Sequence, residues 1–349
     1  MSESDIREAL RRLPKAELHC HLDGSVRPAT LAELASEYGV KLPCSPAADD
    51  VAKMMCVTDA ATLEEYLTRF EYTISVMQTA EALERIAYEL VQDAHADGVR
   101  YIEARNAPLL NTRKGLTPEA VLDATVRGLE RGEREFGVIA RFILCALRNL
   151  PPESSMEQAR LAVAHKGRGV VAFDLAGGEL GNPASDHAAA FRYARENDLA
   201  VTVHAGEGDG AESIRQAVHD CGANRIGHGT RLFEDPSLEQ YVNDRRIALE
   251  MCPTSNVQTR ASRSYAEHPF REYFARGLNV TLNTDNRLMS GTTLTDEYLH
   301  AAREMDFSVS DLSLVALNGF ASAFLPWEDR LRLIDSVRGE IDAIEETVQ

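Results

Sequence analysis

Basic charge is scarce in this chain. Its 349 residues carry 37 Lys and Arg against 55 Asp and Glu, a formal net charge of −18. Such a surface repels polyanions, so neither a nucleic acid nor an anionic membrane is expected as a partner, and small uncharged or cationic ligands stay open. Long apolar runs are missing too. The longest strictly apolar stretch covers only 142–147, far short of the roughly 20 residues that a bilayer-spanning helix needs. Cysteine is thin: Cys20, Cys44, Cys56, Cys145, Cys221 and Cys252 include no Cys-x-x-Cys pair, which argues against a redox dithiol or a zinc ribbon and for reduced thiols. The first residues are acidic where a signal peptide would be basic and then apolar, so the expected compartment is the cytoplasm. No repeat, low-complexity run or Pro/Gly/Ser linker divides the chain, and one domain over 1–349 is expected.

What is present is alternation. β-rich stretches at 16–22, 99–104, 138–147, 170–175, 200–204, 225–228, 247–252 and 279–284 are separated by segments of helical periodicity. From Leu83 onward, Ile86, Ala87, Leu90, Val91 and Ala94 recur at steps that share one helical face. Eight strand–helix repeats predict an α/β fold with a parallel sheet, and eight strands close into a (β/α)8 TIM-type barrel filled by its own side chains. An open doubly wound sheet is the alternative. The stretch at about 30–77 is too long for a simple βα loop and sets Leu63, Tyr66, Leu67, Phe70, Ile74 and Met77 on one helical face. It is expected to be an inserted helical cap after strand one. The C-terminal stretch from Glu328 reads as one amphipathic helix.

Chemistry in a parallel barrel sits at the C-terminal ends of its strands. Here strand one ends His19-Cys20-His21-Leu22-Asp23-Gly24, strand five His204-Ala205-Gly206-Glu207, strand six Gly227-His228-Gly229 and strand eight Thr284-Asp285-Asn286. His19 and His21, two apart on a strand, leave the same face and can converge on one ion, while Cys20 points the other way into packing. A lone strand histidine is more often a hydrogen-bonded core residue. Joined by His204 and Asp285 at the same barrel end, however, the pair supplies the nitrogen and oxygen ligands that a catalytic Zn2+ uses; a structural zinc would favour thiols. Glu207 opens the next loop, where it can face a substrate without binding metal, and with His228 it makes an acid/base pair. His95, His165, His187, His219, His268 and His300 lack such a strand-end context and are assigned no role.

In their order, these motifs together with Asp174-Leu175-Ala176-Gly177 and Asn283-Thr284-Asp285 resemble those of the adenosine deaminases, of the metal-dependent amidohydrolase superfamily, over about 15–326. The resemblance implies one zinc held by His19, His21, His204 and Asp285, with Glu207 and His228 catalytic. It further implies substrate contacts from His21, from Asp23 to the ribose, from the Gly177 backbone to the purine and from residue 286 to N7, and a helical insert that gates the pocket. The activity implied is zinc-dependent hydrolytic deamination of adenosine and 2′-deoxyadenosine to inosine and deoxyinosine, a step of purine salvage. Another 6-aminopurine, adenine or a 5′-modified adenosine, is the alternative. Asn286 departs from the pattern, since many relatives carry a second aspartate there. Its amide can donate to N7 at any ordinary pH, whereas a carboxylate must first be protonated.

Four other readings compete. The His-x-Glu and Pro-Cys-x-x-Cys pieces of the other zinc deaminase architecture are absent, and strand four ends without the lysine that bridges two metals in many amidohydrolases. Gly206-x-Gly208-x-x-Ala211 imitates a dinucleotide-binding turn, but no acidic residue ends the next strand. A non-catalytic nucleoside-binding protein would not need a complete ligand set. The oligomeric state is not legible.

Overall fold

The computed structural model describes residues 3–58 and 62–348. All eight expected strands form: β1 (Lys15–His21), β2 (Val99–Asn106), β3 (Ile139–Leu147), β4 (Val170–Ala176), β5 (Ala200–Ala205), β6 (Arg225–His228), β7 (Ala248–Met251) and β8 (Val280–Leu282). Each pairs in parallel with the next, in chain order. The seam between β8 and β1 is closed largely by side chains. Leu18 N donates to Asn283 Oδ1 (2.8 Å) and Thr284 N to Glu17 Oε1 (2.9 Å), and just beyond them Asp285 N donates to His19 O (2.9 Å) and His21 N to Asp285 O (2.7 Å). That seam rules out the open doubly wound sheet and makes a (β/α)8 barrel. It also explains why β8 is short: Asn283 and Glu17 take over its ladder bonds.

Helices fill the connections. A first helix, α1 (Glu3–Arg12), precedes β1 and was not expected. Between β1 and β2 lie α2 (Pro28–Tyr38), α3 (Ala48–Met55), α4 (Leu63–Leu67), α5 (Phe70–Val76) and the barrel helix α6 (Ala80–Ala96). The stretch 30–77 thus carries four helices joined by non-helical segments; residues 59–61 within it, and 1, 2 and 349 of the expected domain, lie outside the described residues. The single helix foreseen from Leu63 to Met77 is instead two. Thr68 Oγ1 bonds back to the Glu65 carbonyl (2.7 Å), a local alternative to the helical ladder that threonine favours. The insert touches the loops after β8 and β5. Val57 N donates to Met289 O (2.9 Å), the Tyr66 hydroxyl pairs with Ser290 Oγ (3.0 Å), and Leu63 packs beside Gly208.

The Thr79 hydroxyl caps α6 by accepting from Ala82 N, and Ile86, Ala87, Leu90, Val91 and Ala94 are all buried as their spacing requires. The C-terminal helix runs Trp327–Val348. Among the described residues no helix is long and apolar enough to cross a membrane.

Candidate metal and catalytic centre

The C-terminal ends of β1, β5, β6 and β8 meet at one point. The ligand atoms of His19, His204, His228 and Asp285 lie within 4.8 Å of one another. His21 adjoins them, with Nε2 3.0 Å from His204 Nε2 and 3.5 Å from Asp285 Oδ1. The structure therefore brings together all four expected ligands and sets His228, expected as a catalytic group, against the same cluster. Cys20 is turned away, buried beside Ser25 and Thr284. His228 and Asp285 both adopt left-handed backbone, with φ of 63° and 59°. For residues with a Cβ this costs about 1–3 kcal/mol each and is the kind of strain that functional sites retain.

The donors suit a cation. His19 Nδ1–H donates to Glu250 Oε2 (2.9 Å), which turns the bare Nε2 towards the cluster, and that nitrogen is buried with no hydrogen-bond partner. His204 Nδ1–H likewise donates to Asp174 (3.1 Å). Its Nε2 then faces His21 Nε2 at 3.0 Å, and two acceptor nitrogens so close repel unless a proton or a cation lies between them. Burial and the Arg105 charge hold the His19 imidazolium down to about 4, and burial holds His21 well below its ordinary value, so both are neutral donors near pH 7. Burial pushes the Asp285 carboxyl up, but His19, whose Nε2 lies 3.4 Å from Oδ1, and the neighbouring His228 and His21 bring it below the usual range. Ser255 Oγ holds its second oxygen (2.6 Å). Three imidazoles, a carboxylate and no thiol make the donor set of a catalytic zinc.

Behind the donors, the barrel interior is an ionic ladder. Arg105 bridges Asp174 Oδ2 (2.9 Å) and Glu250 Oε2 (2.8 Å), Glu250 Oε1 accepts from Arg225 Nε (2.6 Å), and Arg225 also pairs with Glu103. Each of these side chains is buried. Burial alone would raise Asp174 and Glu250, yet the neighbouring His204, Arg105 and Arg225 charges hold both well below the carboxylate range. Ionised carboxylates are thus kept on the far nitrogens of His19 and His204, the arrangement that fixes tautomer and ring orientation in metal-binding histidines. Sequence reasoning missed this ladder. The signal was Glu103 and Arg105, two charged residues two apart in an otherwise buried strand, which must both face the barrel interior.

Glu207 sits at the rim with Oε2 3.4 Å from His228 Nε2 and Oε1 accepting from Thr259 Oγ1 (3.0 Å). Burial raises its pKa, and the His228 charge opposes part of that rise. Its loop is clamped by Glu179, another residue not foreseen: that buried carboxylate accepts from the backbone amides of Gly206 (2.7 Å), Glu207 (3.0 Å), Gly208 (2.6 Å) and Asp209 (3.2 Å). The same clamp disposes of the dinucleotide reading. The N–H groups that would cradle a pyrophosphate are already taken by a carboxylate of the chain itself.

The expected substrate contacts line the same mouth. Asp23 Oδ1 and Asn286 Oδ1 are buried without a hydrogen-bond partner, and burial raises the Asp23 carboxyl to about 7. Gly24 has to be glycine, because a Cβ there would lie 1.8 Å from Asn286 Oδ1. Gly177, just after β4, has φ of 99°, and a Cβ would meet Asn149 Oδ1 at 3.1 Å, which leaves its backbone open to close approach.

Comparison with known proteins agrees with this geometry. The family model described as adenosine deaminase matches residues 14–340. An adenosine deaminase from Clostridium acetobutylicum is 39% identical over 330 residues, covering 95% of this chain and 98% of that one. Two solved structures are similar throughout. An adenine deaminase from Arthrobacter aurescens has a TM-score of 0.87 at 29% identity, covering 95% of this chain and 99% of its own. An amidohydrolase from Burkholderia ambifaria with bound Zn has a TM-score of 0.89 at 26% identity, covering 98% and 94%. The chain belongs to the adenosine deaminase family.

Proposed function

We propose that this protein hydrolyses adenosine and 2′-deoxyadenosine to inosine and 2′-deoxyinosine, releasing ammonia, as a purine-salvage enzyme with one zinc per chain. The observation that carries the reading is the convergence of His19, His204, His228 and Asp285, whose ligand atoms lie within 4.8 Å of one another, with Glu207 Oε2 3.4 Å from His228 Nε2. His19, His21, His204 and Asp285 would hold the zinc. When bound, it supplies the Lewis acidity that makes water a nucleophile near neutral pH. Glu207 gives its proton to purine N1, which makes C6 electrophilic and stabilises the tetrahedral adduct. The water oxygen then bonds C6 and the C6–amine bond breaks; one water proton leaves with the amine as ammonia and the other returns to Glu207, replacing the proton given to N1. His228 orients the attacking oxygen from beside Glu207. Asp23 receives a ribose hydroxyl, the Gly177 backbone and Asn286 meet the purine, and the helical insert covers the bound nucleoside. Six free thiols suit a reducing compartment, the cytoplasm.

A substrate panel tests the assignment. With zinc-loaded protein, adenosine and 2′-deoxyadenosine should show higher kcat/KM than adenine or 5′-methylthioadenosine, and 7-deazaadenosine, which lacks the N7 acceptor, should bind more weakly. Adenine is included because the similar Arthrobacter aurescens structure is of an adenine deaminase. Preferential turnover of adenine or of the 5′-modified nucleoside would replace adenosine as the substrate.

A further inference from the structure

His228 is held from behind by two side chains that the chemistry above does not use. Its Nδ1 lies 3.0 Å from the Asn256 amide nitrogen, Asn256 Oδ1 lies 3.1 Å from His268 Nε2, and His268 Nδ1 lies 3.2 Å from the backbone nitrogen of Phe270. Asn256 belongs to the helix Pro253–Gln258 after β7, and His268 to the loop before the helix Phe270–Ala275. All three side chains are buried.

The direction of this chain of hydrogen bonds follows from its far end. A backbone N–H can only donate, so His268 Nδ1 must accept. Burial pushes the His268 imidazolium down to about 3, so the ring is neutral and carries its one proton on Nε2. That N–H needs an acceptor, which has to be Asn256 Oδ1. The Asn256 amide group is thereby turned with its NH2 towards His228, and His228 Nδ1 accepts. In neutral His228 the proton is left on Nε2, the nitrogen 3.4 Å from Glu207 Oε2.

We infer that Asn256 and His268 are positioning residues that lock His228 in the Nε2–H tautomer, so that it meets the attacking oxygen as a hydrogen-bond donor and not as a proton acceptor. The inference rests on the reading of His228 as a catalytic residue of the proposed deaminase. It assigns the proton traffic to Glu207 alone: after protonating N1, Glu207 takes the two protons that the attacking oxygen releases in turn, passing one to the departing amine and keeping the other.

The test combines neutron diffraction on zinc-loaded protein with steady-state kinetics on adenosine. Wild type should carry deuterium on His228 Nε2. In Asn256→Asp the introduced carboxylate can only accept, so deuterium should move to His228 Nδ1. There kcat should fall by at least about 100-fold, with KM changed less than about threefold and zinc retained. Since His268→Gln keeps an amide N–H near the position of Nε2, it should stay within about threefold of wild-type kcat, whereas His268→Leu should lose activity as Asn256→Asp does. The His268 pair keeps the test decisive if Asn256→Asp folds poorly. Deuterium on Nδ1 in wild type, or full kcat in His268→Leu, would overturn the lock. A tautomer that moves while kcat does not would overturn its catalytic importance. A wild type inactive on adenosine would instead refute the proposed substrate, and the tautomer would still be read directly.

Discussion

Glu207→Gln should lose about 10³- to 10⁴-fold in kcat and keep its zinc. The substitution preserves size and leaves a carbonyl oxygen to accept from Thr259 Oγ1, now 3.0 Å from Glu207 Oε1, so the loop stays in place under the Glu179 clamp. An amide NH2 can still donate a hydrogen bond to N1. It cannot transfer the proton, and the electrophile is never generated. KM should therefore move little, because the interaction lost is one realised in the transition state. Zinc should remain because Glu207 is not among the proposed ligands His19, His21, His204 and Asp285. Steady-state kinetics with metal analysis of the same sample checks both halves. Near-normal kcat would remove Glu207 from the chemistry.

The largest effect on stability is expected from Arg105→Met. Arg105 lies inside the barrel with no exposed surface, bridging Asp174 and Glu250. Removing one partner of a buried ion pair leaves uncompensated charge and costs roughly 3–5 kcal/mol. The pH dependence identifies the cause. In wild type both carboxyls titrate below their unfolded values, so their contribution is fully present above about pH 4 and is lost as pH falls through the folded values. Without the guanidinium, burial is opposed chiefly by the His204 charge at Asp174 and by the Arg225 charge at Glu250, so both folded-state values move up. A rise past the unfolded value reverses the sign, and the variant then loses stability as pH rises. The deficit against wild type should be smaller near about pH 5 than near about pH 8. Denaturant midpoints across that range read it directly. A variant within about 1 kcal/mol of wild type at every pH would show that the ladder contributes little.

The barrel was legible because strands buried on both faces read as compact β-rich runs, and every expected strand lies within two residues of its structural counterpart. The centre was legible for a related reason: polar residues that interrupt such runs at their C-terminal ends, such as His19, His204 and Asp285, have few structural explanations. What supports those residues was not. Glu250 and Asp174 lie within strands where a lone acid looks incidental, and Glu179 and His268 come from loops whose spacing carries no signal. Their roles depend on tertiary contacts between segments far apart in sequence, as when Asn256 meets His228 and His268. The break between α4 and α5 escaped notice because apolar periodicity continues across Thr68, where the back-bond to Glu65 and backbone bonds three residues apart interrupt the helix.

The central claim is that His19, His21, His204 and Asp285 together hold a single divalent cation at the barrel mouth. Anomalous X-ray diffraction at the zinc edge, from crystals of zinc-loaded protein, tests it most directly. One peak per chain, enclosed by those four side chains with Glu207 alongside and not ligating, is the predicted result. A peak bound elsewhere, a second peak of equal strength, or none in protein shown to contain zinc would contradict it.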